Sequence, residues 1–336
     1  MNRIYHGEEL RAASLDCPPP DYLPAKESGS LFYAQYNQLL QDNKPHDARQ
    51  LGLRALERVW WARGYPVSDI VLEDQFDIAT FDDPTIEKLL IRQSEIVQDI
   101  TEEFNTILPE LYDQLGLRLN TAIEKGYIAA DVRKRLDNVR EQTVWIVSDG
   151  MGDTLGMAST VDRTALISSD LFLEGVGASY KQTRIEEVFT HEMLHRLTGV
   201  SATGEYGPVY RRGLEPMSKK FKDAWLNEAV TERIAWHLMH DDWHIKQQWV
   251  DTKNYTYIDE SLQLRILLKA LPFKVLTDYY FDESEDGQTK KELHKALRET
   301  LGVTYSQFIK ATDAMSRTER YEYIKNLTST FSDKRI

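Results

Sequence analysis

The chain has 336 residues, of which 41% are hydrophobic and 28% are charged, with 17 Gly and 11 Pro. These proportions suffice for one large or two modest globular domains, and they exclude disorder over most of the chain. The formal net charge of −13 opposes general attraction to phosphate backbones and to anionic membrane surfaces, so we expect no nucleic-acid partner.

The sequence contains no run of about 18 consecutive apolar residues, and charged residues interrupt its first segment. We therefore expect a cytoplasmic protein with no membrane partner. Its single cysteine, Cys17, can neither form an internal disulfide nor build a thiolate metal site alone. Histidine and carboxylate side chains would have to hold any metal ion.

The first part of the chain is predicted to be an arm followed by a helical region. Residues 1–30 contain three consecutive prolines and no apolar period, which predicts a surface arm or a partly disordered tail. Apolar residues then recur at helical spacing over residues 31–142. The predicted helices run from Leu31 to Arg63 with a break at Pro45, from Asp83 to Ile107, from Pro109 to Lys125 and from Ala129 to Gln142.

The pattern changes at residue 143, where β-branched and aromatic residues predict two strands, 143–147 and 164–168, on either side of a glycine-rich turn. Helical patterns return at 183–198 and 219–243, and they fill most of 256–331. We predict an α+β fold that is predominantly helical, with a core at residues 143–245 and a helical C-terminal region at residues 246–336.

A His-Glu-x-x-His motif stands at residues 191–195. Residues four apart lie on one helix face about one turn apart, so His191 and His195 can reach one cation while Glu192 projects beside it. Thr183 and Glu186 can form a capping box before the motif, and Gly199 can end the helix in a left-handed cap. The alternative is a chance grouping of these residue types.

Catalytic zinc takes three protein ligands and keeps one position open, so a third ligand is expected downstream. Residues 198 and 201 lack the Gly and His of a metzincin. The next helical segment places Glu228 and Glu232 on one face, which favours Glu228 as ligand and Glu232 as the acceptor for a ligand histidine's second N–H. The alternative is two solvated glutamates paired with Arg233 or Lys222.

His-Glu-x-x-His on one helix and Asn-Glu-x-x-x-Glu on the next resemble the gluzincin metallopeptidases, the group of thermolysin and aminopeptidase N, over about residues 143–245. The resemblance implies a zincin-like core in which two helices hold one zinc ion per chain. It also implies that this core cleaves a peptide or protein substrate. It assigns His191, His195 and Glu228 as zinc ligands and Glu192 as general base. Glu232 would be the acidic residue that supports a ligand histidine.

The resemblance has limits that shape the prediction. The 32 residues between His195 and Glu228 predict an insertion. No acidic residue stands where aminopeptidases anchor the substrate amine, so we expect an endopeptidase. Within the insertion, Tyr210 is favoured over Tyr206 as oxyanion donor, although both tyrosines could be packing residues.

Several alternatives stay open. Glu205 is an alternative third ligand, because the motif and the glycine-rich loop after it resemble those of the SprT-type DNA-associated proteases. Such a protease is an alternative function, which the net charge of −13 disfavours. His237, His240 and His244 lie about 120–180° around the helix from Glu228, so we expect them to face away from the metal. A further alternative is a catalytically inactive zinc-binding scaffold that binds partners.

Overall fold

The computed structural model describes residues 31–63, 82–149, 154–158, 163–172, 178–201, 209–212, 214–216, 225–241, 243, 258–282 and 288–332. Over these residues the chain is predominantly helical with two small sheets, which confirms the predicted α+β class. No helix in this part of the chain combines the length and apolar character needed to cross a membrane. The predicted arm at residues 1–30 lies outside the described residues.

The chain divides into two compact units whose boundaries fall inside helices. The first unit comprises Met1–Asp113 and Arg140–Glu192, and the second comprises Gln114–Val139 and Met193–Ile336. The division into regions at residues 30, 142 and 245, inferred from the sequence, stays a prediction.

Two helices at the start of the first unit pack against a long third helix. α1 (Leu31–Gln41) and α2 (Pro45–Arg63) are separated by a turn in which Asn43 has a left-handed backbone with φ 57°. This break confirms the predicted interruption at Pro45. Buried residues of α1, α2 and α3 (Asp83–Glu124) form one apolar cluster: Tyr36, Ala48, Leu51, Ala55, Ile86 and Leu90.

The helix α3 is longer than the sequence indicates. The Asp82 carboxylate caps its first turn by accepting a hydrogen bond from the Thr85 backbone N–H at 2.9 Å. The prediction of two helices meeting near Pro109 was wrong, because α3 continues well past this proline. A proline inside a helix costs about 3 kcal/mol or more. The flanking residues Leu108 and Leu111 are buried, and their packing offsets that cost.

After α4 (Asp131–Gln142), three short strands form a sheet in the order β1–β3–β2. They are β1 (Val144–Ser148), β2 (Gly156–Ala158) and β3 (Thr164–Ser168). β1 and β3 are parallel, whereas β2 is antiparallel to β3. The sheet confirms the two predicted strands and adds β2, which the sequence did not reveal. A 3₁₀ turn, Ser169–Phe172, follows β3.

Trp145 fixes β1 in the core of the first unit. Its ring is 1% exposed and lies 5.4 Å from Phe104 of α3 and 5.1 Å from Phe189, measured between centroids. The indole N–H donates to the Tyr112 hydroxyl at 3.0 Å, so the buried donor is satisfied. Phe189 belongs to α5 (Ala178–Leu197), the helix that carries the His-Glu-x-x-His motif. These contacts hold that helix against the sheet.

Both ends of α5 differ from the prediction. The predicted capping box does not form, because α5 begins at Ala178 and Thr183 lies inside it. Gly199 does not serve as a helix cap, because it is the first residue of strand β4 (Gly199–Ser201). β4 pairs with β5 (Val209–Arg212), which pairs with β6 (Glu215–Pro216), both in antiparallel fashion. This second sheet occupies the predicted insertion.

The rest of the second unit is helical. Trp225 opens α6 (Trp225–His240), and its indole N–H donates to the Thr312 hydroxyl at 3.2 Å. The helices break at Pro272 and at Gly302, and Gly302 has φ 70°, a left-handed conformation that favours glycine. The later helices are α7 (Ile258–Leu267), α8 (Phe273–Phe281), α9 (Gln288–Leu301), α10 (Tyr305–Asp313) and α11 (Arg317–Ser332).

Candidate metal centre

The His-Glu-x-x-His motif lies on a buried face of α5. His191 and His195 are four residues apart on a continuous helix, so their side chains project from one face. The exposed fractions of His191, Glu192 and His195 are only 6%, 6% and 3%. Burying three polar side chains so close together costs free energy unless partners or a bound ion compensate for it.

Glu228, in the first turn of α6, completes a group of three metal-ligating side chains. One ligand atom from each of His191, His195 and Glu228 lies within 4.8 Å of the other two. The His195 Nε2 and Glu228 Oε2 atoms are 3.1 Å apart. The structure thus brings together the three residues that the sequence indicated as ligands, and this group can hold a metal ion.

The spacing of these atoms suits a small tetrahedral ion. Zinc binds histidine nitrogen and carboxylate oxygen at about 2.0–2.2 Å, which places two such ligand atoms about 3.3 Å apart in a tetrahedral site. The separation of 3.1 Å between His195 and Glu228 is close to that value. Atoms separated by up to 4.8 Å need only a small inward movement to reach it. Three protein ligands leave one position for water or substrate.

Asn227 connects His195 to the loop between β5 and β6. Its side chain is 2% exposed, and its Oδ1 accepts a hydrogen bond from the Leu214 backbone N–H at 3.0 Å. Its Nδ2 lies 3.5 Å from His195 Nδ1. The Leu214 carbonyl in turn accepts a hydrogen bond from the Tyr305 hydroxyl. Sequence reasoning missed these contacts of Asn227, and the available signal was an amide side chain next to a proposed ligand.

One tautomer of His195 satisfies its contacts with Glu228 and with Asn227. With the proton on Nε2, the ring donates to Glu228, and Nδ1 accepts from the Asn227 amide. A metal ion bound through Nε2 requires the proton on Nδ1 instead. Asn227 would then face that proton with its own N–H groups, and two donors cannot form a hydrogen bond. The Asn227 amide therefore opposes the tautomer that binds a metal ion.

Glu192 lies against β2, an outer strand of the first sheet. Gly156 of β2 is so close to the side chains of Glu192 and Val188 that no Cβ atom fits there. Ala158, two residues on, is 5% exposed, whereas Met157 between them is 43% exposed. β2 therefore turns its small residues toward α5 at the level of Glu192.

The structure places the other candidate residues only in part. Glu232 lies one turn after Glu228 on α6, and its role beside a ligand histidine stays a prediction. Tyr210 belongs to β5, but its side chain lies outside the described part of the structure. Tyr206 and Glu205 are also outside the described residues. The oxyanion role and the alternative third ligand therefore stay predictions.

The histidines at the end of α6 lie in an aromatic environment. His237 is fully buried and stacks on Trp243, with centroids 4.8 Å apart. His240 stacks on Trp236 at 4.7 Å. Neither histidine belongs to the metal-ligating group found among the described residues, as expected from their helical register. His244 lies outside the described part of the chain.

Comparison of the chain with models of protein families finds no match. Comparisons with curated proteins and with solved structures find none either. The resemblance to gluzincin peptidases therefore rests on the two helical motifs, and a function has to be inferred from the chemistry of the site.

Proposed function

We propose that the protein is a zinc-dependent peptidase with a catalytic core similar to that of the gluzincins. The observation that carries this proposal is the convergence of His191, His195 and Glu228 on one point. Glu192 adds a buried carboxylate on the same helix, between the two histidines. This combination supplies both a metal site and a candidate general base.

Zinc, one ion per chain, is the metal that this donor set favours. Two imidazole nitrogens and one carboxylate oxygen form a common catalytic zinc set. Magnesium and calcium sites are built from oxygen ligands, and imidazole nitrogen suits zinc better. A thiolate cluster is excluded because Cys17 is the single cysteine of the chain.

Glu192 is the proposed general base. A zinc ion in such a site would supply Lewis acidity and would lower the pKa of bound water to about 7. The Glu192 carboxylate accepts a proton from the water that attacks the peptide carbonyl, and it later donates that proton to the leaving amine. General acid–base catalysis of this kind contributes about 10²–10⁴-fold to the rate.

Tyr210 is the proposed donor to the oxyanion that develops on the attacked carbonyl, with Tyr206 as the alternative. A tyrosine hydroxyl has an ordinary pKa of about 10, so it remains a hydrogen-bond donor at neutral pH. The backbone of Tyr210 lies in β5, within the insertion that joins α5 to α6. This position is compatible with the role.

A peptide in extended conformation is the proposed substrate. β2 is a terminal strand of the first sheet among the described residues, so one edge of it offers backbone hydrogen-bonding groups. An extended peptide can pair with such an edge, and β2 also packs against Glu192. The segment Leu155–Ser159 contains no acidic residue to anchor a free amine, which favours endopeptidase activity.

Digestion of an unbiased peptide library tests this proposal. We expect internal cleavage by the zinc-loaded protein and none by the chelated protein or by zinc-loaded Glu192→Gln. Glu187→Gln is the matched control, because Glu187 lies on the same helix and pairs with Arg184 at 2.9 Å. It should retain activity. Absence of cleavage by the zinc-loaded protein would refute the peptidase and favour a zinc-binding scaffold.

A further inference from the structure

We propose that Gly156 is a positioning residue for Glu192, because the missing side chain at this position creates the space that the Glu192 carboxylate occupies. The inference rests on the proposed peptidase function, in which Glu192 is the base. It adds a requirement that lies on the sheet rather than on the metal-binding helices.

The distances leave no room for a side chain at position 156. A Cβ atom there would lie 2.6 Å from Glu192 Oε1, 2.7 Å from Glu192 Cγ and 2.7 Å from Val188 Cγ1. Favourable contacts between carbon atoms occur at about 3.5–4.0 Å. Two of these atoms lie close to the α5 backbone, so rotation of the carboxylate alone does not relieve the overlap.

Other contacts hold both β2 and α5 in place. Gly156 is paired with Ile167 of β3, and the Ser168 N–H donates to the Leu155 carbonyl at 2.9 Å. On the helix side, Phe189 stacks on the buried Trp145. The side chains of Glu192 and Val188 are therefore the parts that would move if a methyl group were added at position 156, and Glu192 overlaps with two atoms.

Displacement of a general base is costly for catalysis. Catalytic groups must be held within about 0.5 Å of their productive position. A misplacement of about 1 Å can reduce the rate about 10²-fold. We therefore expect an added methyl group to lower kcat while leaving the metal ligands and the peptide-binding edge of β2 in place.

The first experiment compares Gly156→Ala with Gly52→Ala in the zinc-loaded protein. Gly52→Ala is a matched steric control, because its Cβ would lie 2.5 Å from Ile86 Cγ2 in the α1–α2–α3 cluster. Gly156→Ala should keep its zinc, change KM by less than about threefold and lose about 10²-fold or more in kcat. Gly52→Ala should melt at a lower temperature with a nearly unchanged kcat. A kcat of Gly156→Ala within about threefold of the unmodified protein would overturn the inference.

Thermal melting supplies a readout that does not depend on turnover. Gly156→Ala should lower Tm by less when Glu192→Ala is also present, because Oε1 and Cγ of Glu192, two of the three overlapping atoms, are gone. An equal fall in Tm with and without Glu192→Ala would overturn the inference, even if Gly156→Ala abolished turnover. If Gly156→Ala alone does not fold, recovery of folding in the double variant, or in that variant with Val188→Ala added, supports the inference, and failure of both to fold contradicts it. Lack of turnover in the unmodified protein would refute the peptidase, while the melting comparison would still decide the role of Gly156.

Discussion

Replacing Asn227 by alanine removes the side chain that connects His195 to the Leu214 backbone. The Leu214 N–H then loses its acceptor in a buried setting. An unsatisfied buried donor costs about 1–3 kcal/mol. We expect the free energy of unfolding of the metal-free protein to fall by about that amount.

The same substitution releases the ring of His195. With the Asn227 amide donor gone, the ring proton can move to His195 Nδ1 and leave Nε2 free for the metal ion, so zinc affinity should not fall. Asn227→Asp should bind zinc more tightly than Asn227→Ala, because a carboxylate keeps an acceptor for Leu214 and offers another to the Nδ1–H of a zinc-bound His195. Its zinc affinity should equal or exceed that of the unmodified protein.

Competition with a chromophoric chelator at neutral pH measures zinc affinity, and urea unfolding measures the stability of the metal-free form. Asn120→Ala, on the exposed surface of α3, is the matched control and should change neither quantity. Zinc binding weakened about tenfold or more in Asn227→Ala would refute the reasoning that the Asn227 amide opposes the metal-binding tautomer. Binding weakened about tenfold or more in Asn227→Asp would contradict the tautomer reasoning.

Trp145→Ala should lower the free energy of unfolding by about 3–5 kcal/mol, because it empties a buried site. A loss under about 1 kcal/mol in urea unfolding would contradict the packing. Burial, followed by the charges of Lys290 and Arg298, lowers the pKa of His294 from its ordinary value of 6.5. Because folding opposes protonation of His294, the folded state is favoured while this side chain is neutral. This contribution to stability is fully present above pH 6.5, and it is lost as the pH falls below that value toward the lower pKa of the folded state. His294→Gln should reduce the fall in urea midpoint between about pH 8 and about pH 5, and an unchanged fall would contradict this.

Periodic patterns and turn residues were sufficient to predict the elements that carry the site. Apolar spacing located α5 and α6, and β-branched residues located β1 and β3. The spacing of His191 and His195 is a local property of one helix, so the sequence alone indicates that both can bind one ion. Glu228 was found because an acidic residue on an apolar helix face needs a partner.

Features that depend on tertiary contacts could not be predicted in this way. β2 has three residues, too few for a detectable alternation, and it begins at a glycine that disfavours strands. α3 passes through Pro109 because buried neighbours compensate for the lost hydrogen bond. The contact of Asn227 with Leu214 joins two elements that only folding brings together.

Zinc dissociation constants for Glu228→Ala and Glu205→Ala test the three-residue metal site most directly. We predict that Glu228→Ala loses far more affinity than Glu205→Ala, because Glu228 Oε2 lies 3.1 Å from the ligand His195. Glu232→Ala should lose an intermediate amount, about 10–100-fold. The opposite order, with Glu205→Ala free of metal and Glu228→Ala still loaded, would contradict both the site and the gluzincin proposal.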